Sequence, residues 1–142
     1  FLMSFELARS DVVTAALAAK AAWAGPPTPL ALEFQNVTVI ELERQTVPYV
    51  CVEIHFLDGE QLSFGQTKVV ADYGQIHIIA HTPGNAGTLT GQKILDHFRT
   101  FFELKNFSVI RTKTAQGAAS YESKGWDCWP IVIPFWFHRL VT

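Results

Sequence analysis

The chain has 142 residues and a mass of 15.9 kDa, room for one domain and not for two. Hydrophobic residues make up 49% and charged residues only 17%, so enough apolar surface is present to offset ordering entropy and intrinsic disorder is excluded. A net charge of −2 provides no global basic field to recruit nucleic acid. Charge this sparse on so apolar a chain implies that another subunit or a partner covers some of the aromatic surface.

Residues 4–23 are predicted to form a helix. Ser4 can cap it, Glu6 suits the first turn, and alanine, the best helix former, is abundant. Phe5, Ala8, Val12, Ala16, Ala19 and Trp23 repeat three or four apart, with Val13 and Leu17 widening the stripe. The opposite face is also mostly alanine, which suggests close packing on two sides, one of them a neighbouring chain. Gly25-Pro26-Pro27-Thr28-Pro29 then stops the helix and forms a stiff linker.

Residues 30–42 lean towards short strands. From Pro48, Val50, Val52, Ile54 and Phe56 alternate with Tyr49, Cys51, Glu53, His55 and Leu57, which is the pattern of a half-buried strand. Asp58-Gly59 suits a tight hairpin turn, making Glu60–Phe64 the return strand. A second long strand is expected over Val69–His81, with Gly74, Ile76, Ile78 and Ala80 on one face and Tyr73, Gln75, His77 and His81 on the other. Both strands thus have an apolar face for a helix layer and a mixed face bearing His and Glu.

Pro83–Gly87 is a loop by composition, and Thr88 or Thr90 caps a second helix running to Lys105, where Asn106 ends it. Its stripe is Gly91, Ile94, Leu95, Phe98, Phe101 and Phe102, and Arg99 and Glu103 form an i,i+4 pair. Phe107–Thr112 is predicted as a strand and Lys113–Asp127 as a polar loop. The last strand, Trp129–Leu140, contains Pro130 and Pro134, so it is expected at a sheet edge or beside a bulge. The order of elements is that of an α+β fold, a single domain with a mainly antiparallel sheet and two helices on one face.

Catalytic, metal and cofactor-binding motifs are not found. Cys51 and Cys128 read as two buried reduced thiols. His77 and His81, with Glu53 and His55 on a nearby strand, are ligand types that zinc accepts. However, four residues along a strand separate the two rings by about 13 Å, and the set reads instead as a subunit contact or a wet sheet face. There is no nucleophile elbow, and Gly84, Gly87 and Gly91 do not fit a phosphate-binding loop. Paired carboxylates such as Glu41 and Glu43 are common on strands. No apolar run approaches the ~20 residues that cross a bilayer, and the first residues lack the basic-then-apolar pattern of a signal peptide. Charge is unevenly placed: residues 33–60 hold six acids and one base, residues 68–142 eight bases and five acids. That division is the ordinary one of two solvated faces; read more sharply, it suits head-to-tail contacts around a ring, or an acidic lumen past which a polyanion slides without sticking.

The Ala-rich opening helix, Pro48-Tyr49-Val50-Cys51-Val52, Gln75–Ala80 with Pro83 beyond it, the amphipathic helix Gly91–Lys105 and the closing strand Ile131-Val132-Ile133 to Phe137 together resemble the tail terminator proteins of long-tailed bacteriophages. The resemblance is one of order and spacing over nearly the whole chain. It implies a homohexameric ring in the virion, at the tail–head junction, assembled in the host cytoplasm. The ring would dock on the finished tube of the major tail protein, stop its polymerisation and present a surface to the head-side connector or stopper. DNA would pass through the lumen without specific binding, with no catalysis, no cofactor and no membrane.

Under that reading Ala16, Ala19, Phe135, Trp136 and Phe137 make ring contacts. Asp58, Gly59, Glu60, Tyr121 and Trp126 dock to tube or connector, and Glu41 and Glu43 face the channel. The competing reading is that the aromatics fill the core and the loops are solvated. Two rival functions are another neck component, a stopper or adaptor, and a small α+β enzyme or ligand-binding domain with an aromatic-lined pocket.

Overall fold

The computed structural model describes residues 5–26, 30–34, 47–84 and 89–141. Ser4, most of the proline linker, residues 35–46 with Glu41 and Glu43, and the 85–88 segment with Thr88 lie outside these.

Helix α1 (Phe5–Ala22) buries Ala8, Val12, Ala15, Ala16 and Ala19. These small side chains let the helix axis come close to its neighbours. The His97 Nε2 lies 2.7 Å from the Ala19 carbonyl, to which it donates. Leu17, expected to widen the apolar stripe, is exposed instead.

Strand β1 (Ala31–Phe34) pairs in parallel with β2 (Tyr49–Gln61). Strand β2 pairs antiparallel with β3 (Lys68–Pro83), which pairs antiparallel with β7 (Trp126–Val141). Helix α2 (Leu89–Phe102) lies between β3 and three short strands, β4 (Arg111–Thr112), β5 (Gln116–Gly117) and β6 (Tyr121–Ser123). All three short strands pair with the side of β7 away from β3, completing a seven-stranded sheet. The fold is therefore α+β with a mostly antiparallel sheet, as the sequence predicts. One core cluster joins both helices to Val50, Val52 and Ile54 of β2, Ile76, Ile78 and Ala80 of β3, and Ile133, Phe135 and Phe137 of β7.

The alternation reads correctly along β2 and β3, but the turn between them does not. Asp58-Gly59 makes no hairpin. β2 runs on to Gln61, and its register against β3 shifts between Phe56 and Gly59. A Cβ at Gly59 would lie 2.6 Å from the Asp72 Oδ1, so glycine serves the bulge by giving room rather than by turning the chain. The chain reverses beyond Gln61, where the Leu62 amide donates to the Val69 carbonyl at 2.8 Å. Asp72, buried beneath the bulge, is ion-paired with Arg139 of β7.

Helix α2 also ends earlier than expected. The Thr112 hydroxyl donates to the Phe102 carbonyl at 2.5 Å, and Leu104 takes a φ of 55°, the left-handed geometry that terminates helices. The predicted strand 107–112 shrinks to β4 because residues 107–110 are held elsewhere. The Asp11 carboxylate of α1 accepts from the Ser108 hydroxyl at 2.5 Å and from the amides of Val109 and Ile110 at 2.7 and 3.1 Å. The supposed loop 113–127 contains β5 and β6. Lys124 and Gly125, at φ 52° and 83°, close β6 onto β7 with the two positive values that a two-residue hairpin turn requires.

The prolines of β7 act on one side only. A strand residue points its N and O to the same side, and the Pro134 carbonyl accepts from the Lys113 amide at 2.8 Å. Pro130, four residues away in an unbroken register with β3, faces the same way. Their missing donors thus fall on the outer side, where the pairing breaks into β6, β5 and β4. The β3 side stays continuous. The strand is neither at an edge nor beside a bulge in its pairing with β3, the two places expected for it, because proline spoils one ladder and leaves the other intact.

Candidate functional site

The face of the sheet away from the helices carries Glu33 of β1, Tyr49, Cys51, Glu53 and His55 of β2, Gln75, His77, Ile79 and His81 of β3, and Cys128, Val132 and Trp136 of β7. Strand parity places them there: each alternates with a residue of the core cluster. At one end of this face Tyr49, Trp126 and Cys128 form a small second cluster. The His81 ring stacks on Tyr49 at 4.4 Å between centroids, and Trp126 meets Tyr49 edge-on at 5.2 Å.

Further along, Glu53 and His77 are directly opposed across β2 and β3. His55 lies 3.0 Å from the Glu53 carboxylate through Nε2 and 4.2 Å from the His77 ring centroid. The His77 Nε2 is 3.1 Å from the Gln75 amide oxygen. One donor atom from each of Glu53, His55 and His77 lies within 4.8 Å of the others. His81, grouped with His77 by sequence, takes no part, because its place four residues along the strand carries it to the other end of the face. What sequence reasoning missed was the register that sets His77 opposite Glu53.

Titration along the face follows burial. Desolvation, with a smaller contribution from the neighbouring Glu53 charge, raises Glu33. Burial, followed by the charges of Glu53 and Glu33, pushes the Cys51 thiol up to about 12. Cys128 is also raised, chiefly by burial. Neither thiol is a poised nucleophile. Burial lowers His77, helped by His55 and opposed by Glu53.

Burial lowers His81 as well, opposed by the Ile79 backbone and the Glu53 charge. Its neighbours are Tyr49 on β2 and Cys128 opposite it on β7. A histidine lowered in the folded state binds fewer protons there than in the unfolded chain. Stability is therefore complete above the ordinary histidine value of 6.5 and falls as pH drops through it. His81→Phe keeps the stacked ring and removes the proton, so urea midpoints compared at neutral and mildly acidic pH should differ less in this variant than in the parent. An equal slope in both would assign the acid sensitivity to other groups.

The second exposed feature is the far end of the β2–β3 hairpin. Leu57, Leu62 and Leu140 are each about half exposed, and Phe64 is 89% exposed. Leu140 pairs with Val69 on β3, which brings the end of β7 to the same end of the sheet. The Glu60 carboxylate nearby accepts from the Tyr73 hydroxyl at 3.0 Å.

The residues singled out by sequence divide clearly. Ala16, Ala19, Phe135 and Phe137 lie in the chain's own core, 0–1% exposed, so they are not available for ring contacts. On α1 the buried alanines Ala8, Ala15, Ala16 and Ala19 lie where the helix approaches its neighbours, while Ala18, Ala21 and Ala22 are exposed, and on β7 the odd-numbered residues face the helices. Trp136 is half-buried on the opposite face, 4.9 Å from the His138 ring. Asp58, Gly59 and Glu60 are exposed near the hairpin end, and Tyr121 is exposed on β6. Trp126 is buried against Tyr49 and cannot dock elsewhere. Glu41 and Glu43 lie outside the described residues.

No family model matches the chain, and no curated protein does. A solved structure known only by a reference number is similar over 95% of this chain and 96% of its own, with a TM-score of 0.64 at 12% identity. At that identity the similarity is one of fold. Among the described residues no helix is long and apolar enough to cross a membrane.

Proposed function

We propose that this chain is a ring-forming tail terminator of a long-tailed bacteriophage. In this reading it assembles as a homohexamer, caps the finished tail tube, stops addition of tube subunits and presents its other side to the head-side connector, with DNA passing through the lumen. The observation that carries the proposal is the apolar hairpin end, Leu57, Leu62 and Phe64 with Leu140 beside them. Exposed apolar side chains on a paired β-hairpin suit docking against another subunit, where their burial contributes roughly 25 cal/mol per Å². The acidic Asp58 and Glu60 beside it supply charge that fixes register. The resemblance in element order described above supplies the particular family.

The test is mass by light scattering across a concentration series, with negative-stain images of the largest species. A sixfold ring with a central hole is expected. A monomer or dimer throughout would count against the proposal, and a twelvefold ring would move the chain to the stopper or adaptor class. A Leu62→Ser/Phe64→Ser variant should unfold within about 0.5 kcal/mol of the parent, because both side chains are exposed, yet lose the higher-order assembly or the docking to tube protein. If assembly and docking both survived, the hairpin end would not be the interface.

A further inference from the structure

We propose that Glu53, His55 and His77 form a binding site for a divalent transition-metal ion of the zinc class. This inference is independent of the terminator reading. Three protein ligands, two imidazoles and one carboxylate, are a set that zinc accepts, and they leave a coordination position for water or another donor.

The geometry is nearly assembled. Donors bound to one tetrahedral zinc at about 2.0–2.2 Å stand roughly 3.3 Å apart. His55 Nε2 and the Glu53 Oε2 are already 3.0 Å apart, so an ion can replace the proton between them with little side-chain movement. All three donors lie within 4.8 Å of one another, so the third ligand has only a short way to close. The backbone beneath is preset. Glu53 and His55 share one face of β2, and His77 lies opposite Glu53 in a continuous antiparallel register running from Tyr49–His81 to Phe56–Gly74.

The surroundings fit an ion that exchanges with solvent. The side chains of His55 and Glu53 are 41% and 31% exposed, so the site opens outward while its ligands stand on paired strands. Gln75 reaches a ring nitrogen of His77; a partner of this kind sets which nitrogen remains for the metal. The two imidazoles favour zinc, copper or nickel over magnesium or calcium, which prefer oxygen ligands.

The experiment is titration of the chelator-washed full chain with zinc chloride by calorimetry, and with cobalt chloride by visible absorption. One saturable site with a Kd below about 100 µM supports the proposal; weaker or non-saturating binding overturns it. His77→Gln and Glu53→Gln should each weaken zinc binding about tenfold or more, with circular dichroism establishing that both variants fold. His138→Gln, on the same face but outside the cluster, should bind as the parent does. Equal binding in parent and His77→Gln, or loss in His138→Gln, would place the ion elsewhere and overturn the assignment. Competition by excess magnesium would do the same, because it would indicate an oxygen site. Imidazole nitrogen resonances give a readout independent of affinity: zinc should shift those of His55 and His77 and leave those of His97 in place.

Discussion

Replacing Phe98 by alanine should destabilise the fold by about 3–5 kcal/mol, a large share of the roughly 5–15 kcal/mol that holds a domain together. Phe98 is fully buried on α2, in the cluster that joins both helices to the sheet. Its neighbours on the helix stripe, Ile94 and Phe102, are also fully buried. The hole left by its ring would therefore be lined by residues already packed on other sides and unable to collapse into it. Urea unfolding followed by circular dichroism measures the loss, and Phe98→Leu, which keeps most of the volume, should cost clearly less. A loss under about 1 kcal/mol for the alanine variant would mean that α2 is not seated on the sheet as described.

The second large effect is expected at Gly74, in the middle of β3. A Cβ there would lie 2.3 Å from the Phe135 Cζ and 2.7 Å from the His55 carbonyl oxygen. The ring could swing away, but the carbonyl belongs to β2, which is held against β3 through His55–Gln75 and Phe56–Gly74. Gly74→Ala should therefore cost about 1–3 kcal/mol, even though alanine has no intrinsic penalty over glycine in a strand. Shortening the ring in the Gly74→Ala/Phe135→Leu double variant should recover none of the part that comes from the His55 carbonyl. Gly117, where a Cβ would meet nothing within 4 Å, is the control: Gly117→Ala should leave the urea midpoint nearly unchanged or raise it slightly. A Gly74→Ala variant as stable as the parent would show that the strands part at this position.

Much of this architecture is legible along the chain. The alternation from Tyr49 to Phe56 and from Gly74 to His81 assigns each residue to a face, and both strands follow it. The i,i+3 and i,i+4 stripe of α2 identifies Gly91, Ile94, Phe98 and Phe102 as the buried side. The Arg99–Glu103 pair forms as expected, at 3.3 Å, although Glu103 also accepts from the Ala115 amide at 2.6 Å. Errors fall where a local signal competes with a distant partner. Asp58-Gly59 has the composition of a turn, yet β3 and Asp72 hold it as a bulge. Lys124-Gly125 lacks the Asn or Asp that usually marks a two-residue hairpin, and the turn forms there. Leu104 carries no terminating signal of its own, and the helix stops beside it because Thr112 takes the Phe102 carbonyl.

The same division holds for function. Apolar periodicity could not distinguish an alanine stripe that faces a neighbouring chain from one that faces the chain's own core. The structure decides this by burying Ala16 and Ala19, and it does the same for Phe135 and Phe137. By itself, the sequence determined the types of the long elements α1, α2, β2, β3 and β7, the two faces of β2 and β3 and the α+β class, because these follow from periodicities of 3.6 and 2 that each long segment carries locally. Only the tertiary structure decided the register that sets His77 against Glu53, the interrupted outer side of β7 and the exposure of Phe64. These depend on which residues meet across long stretches of chain, and no local period encodes that.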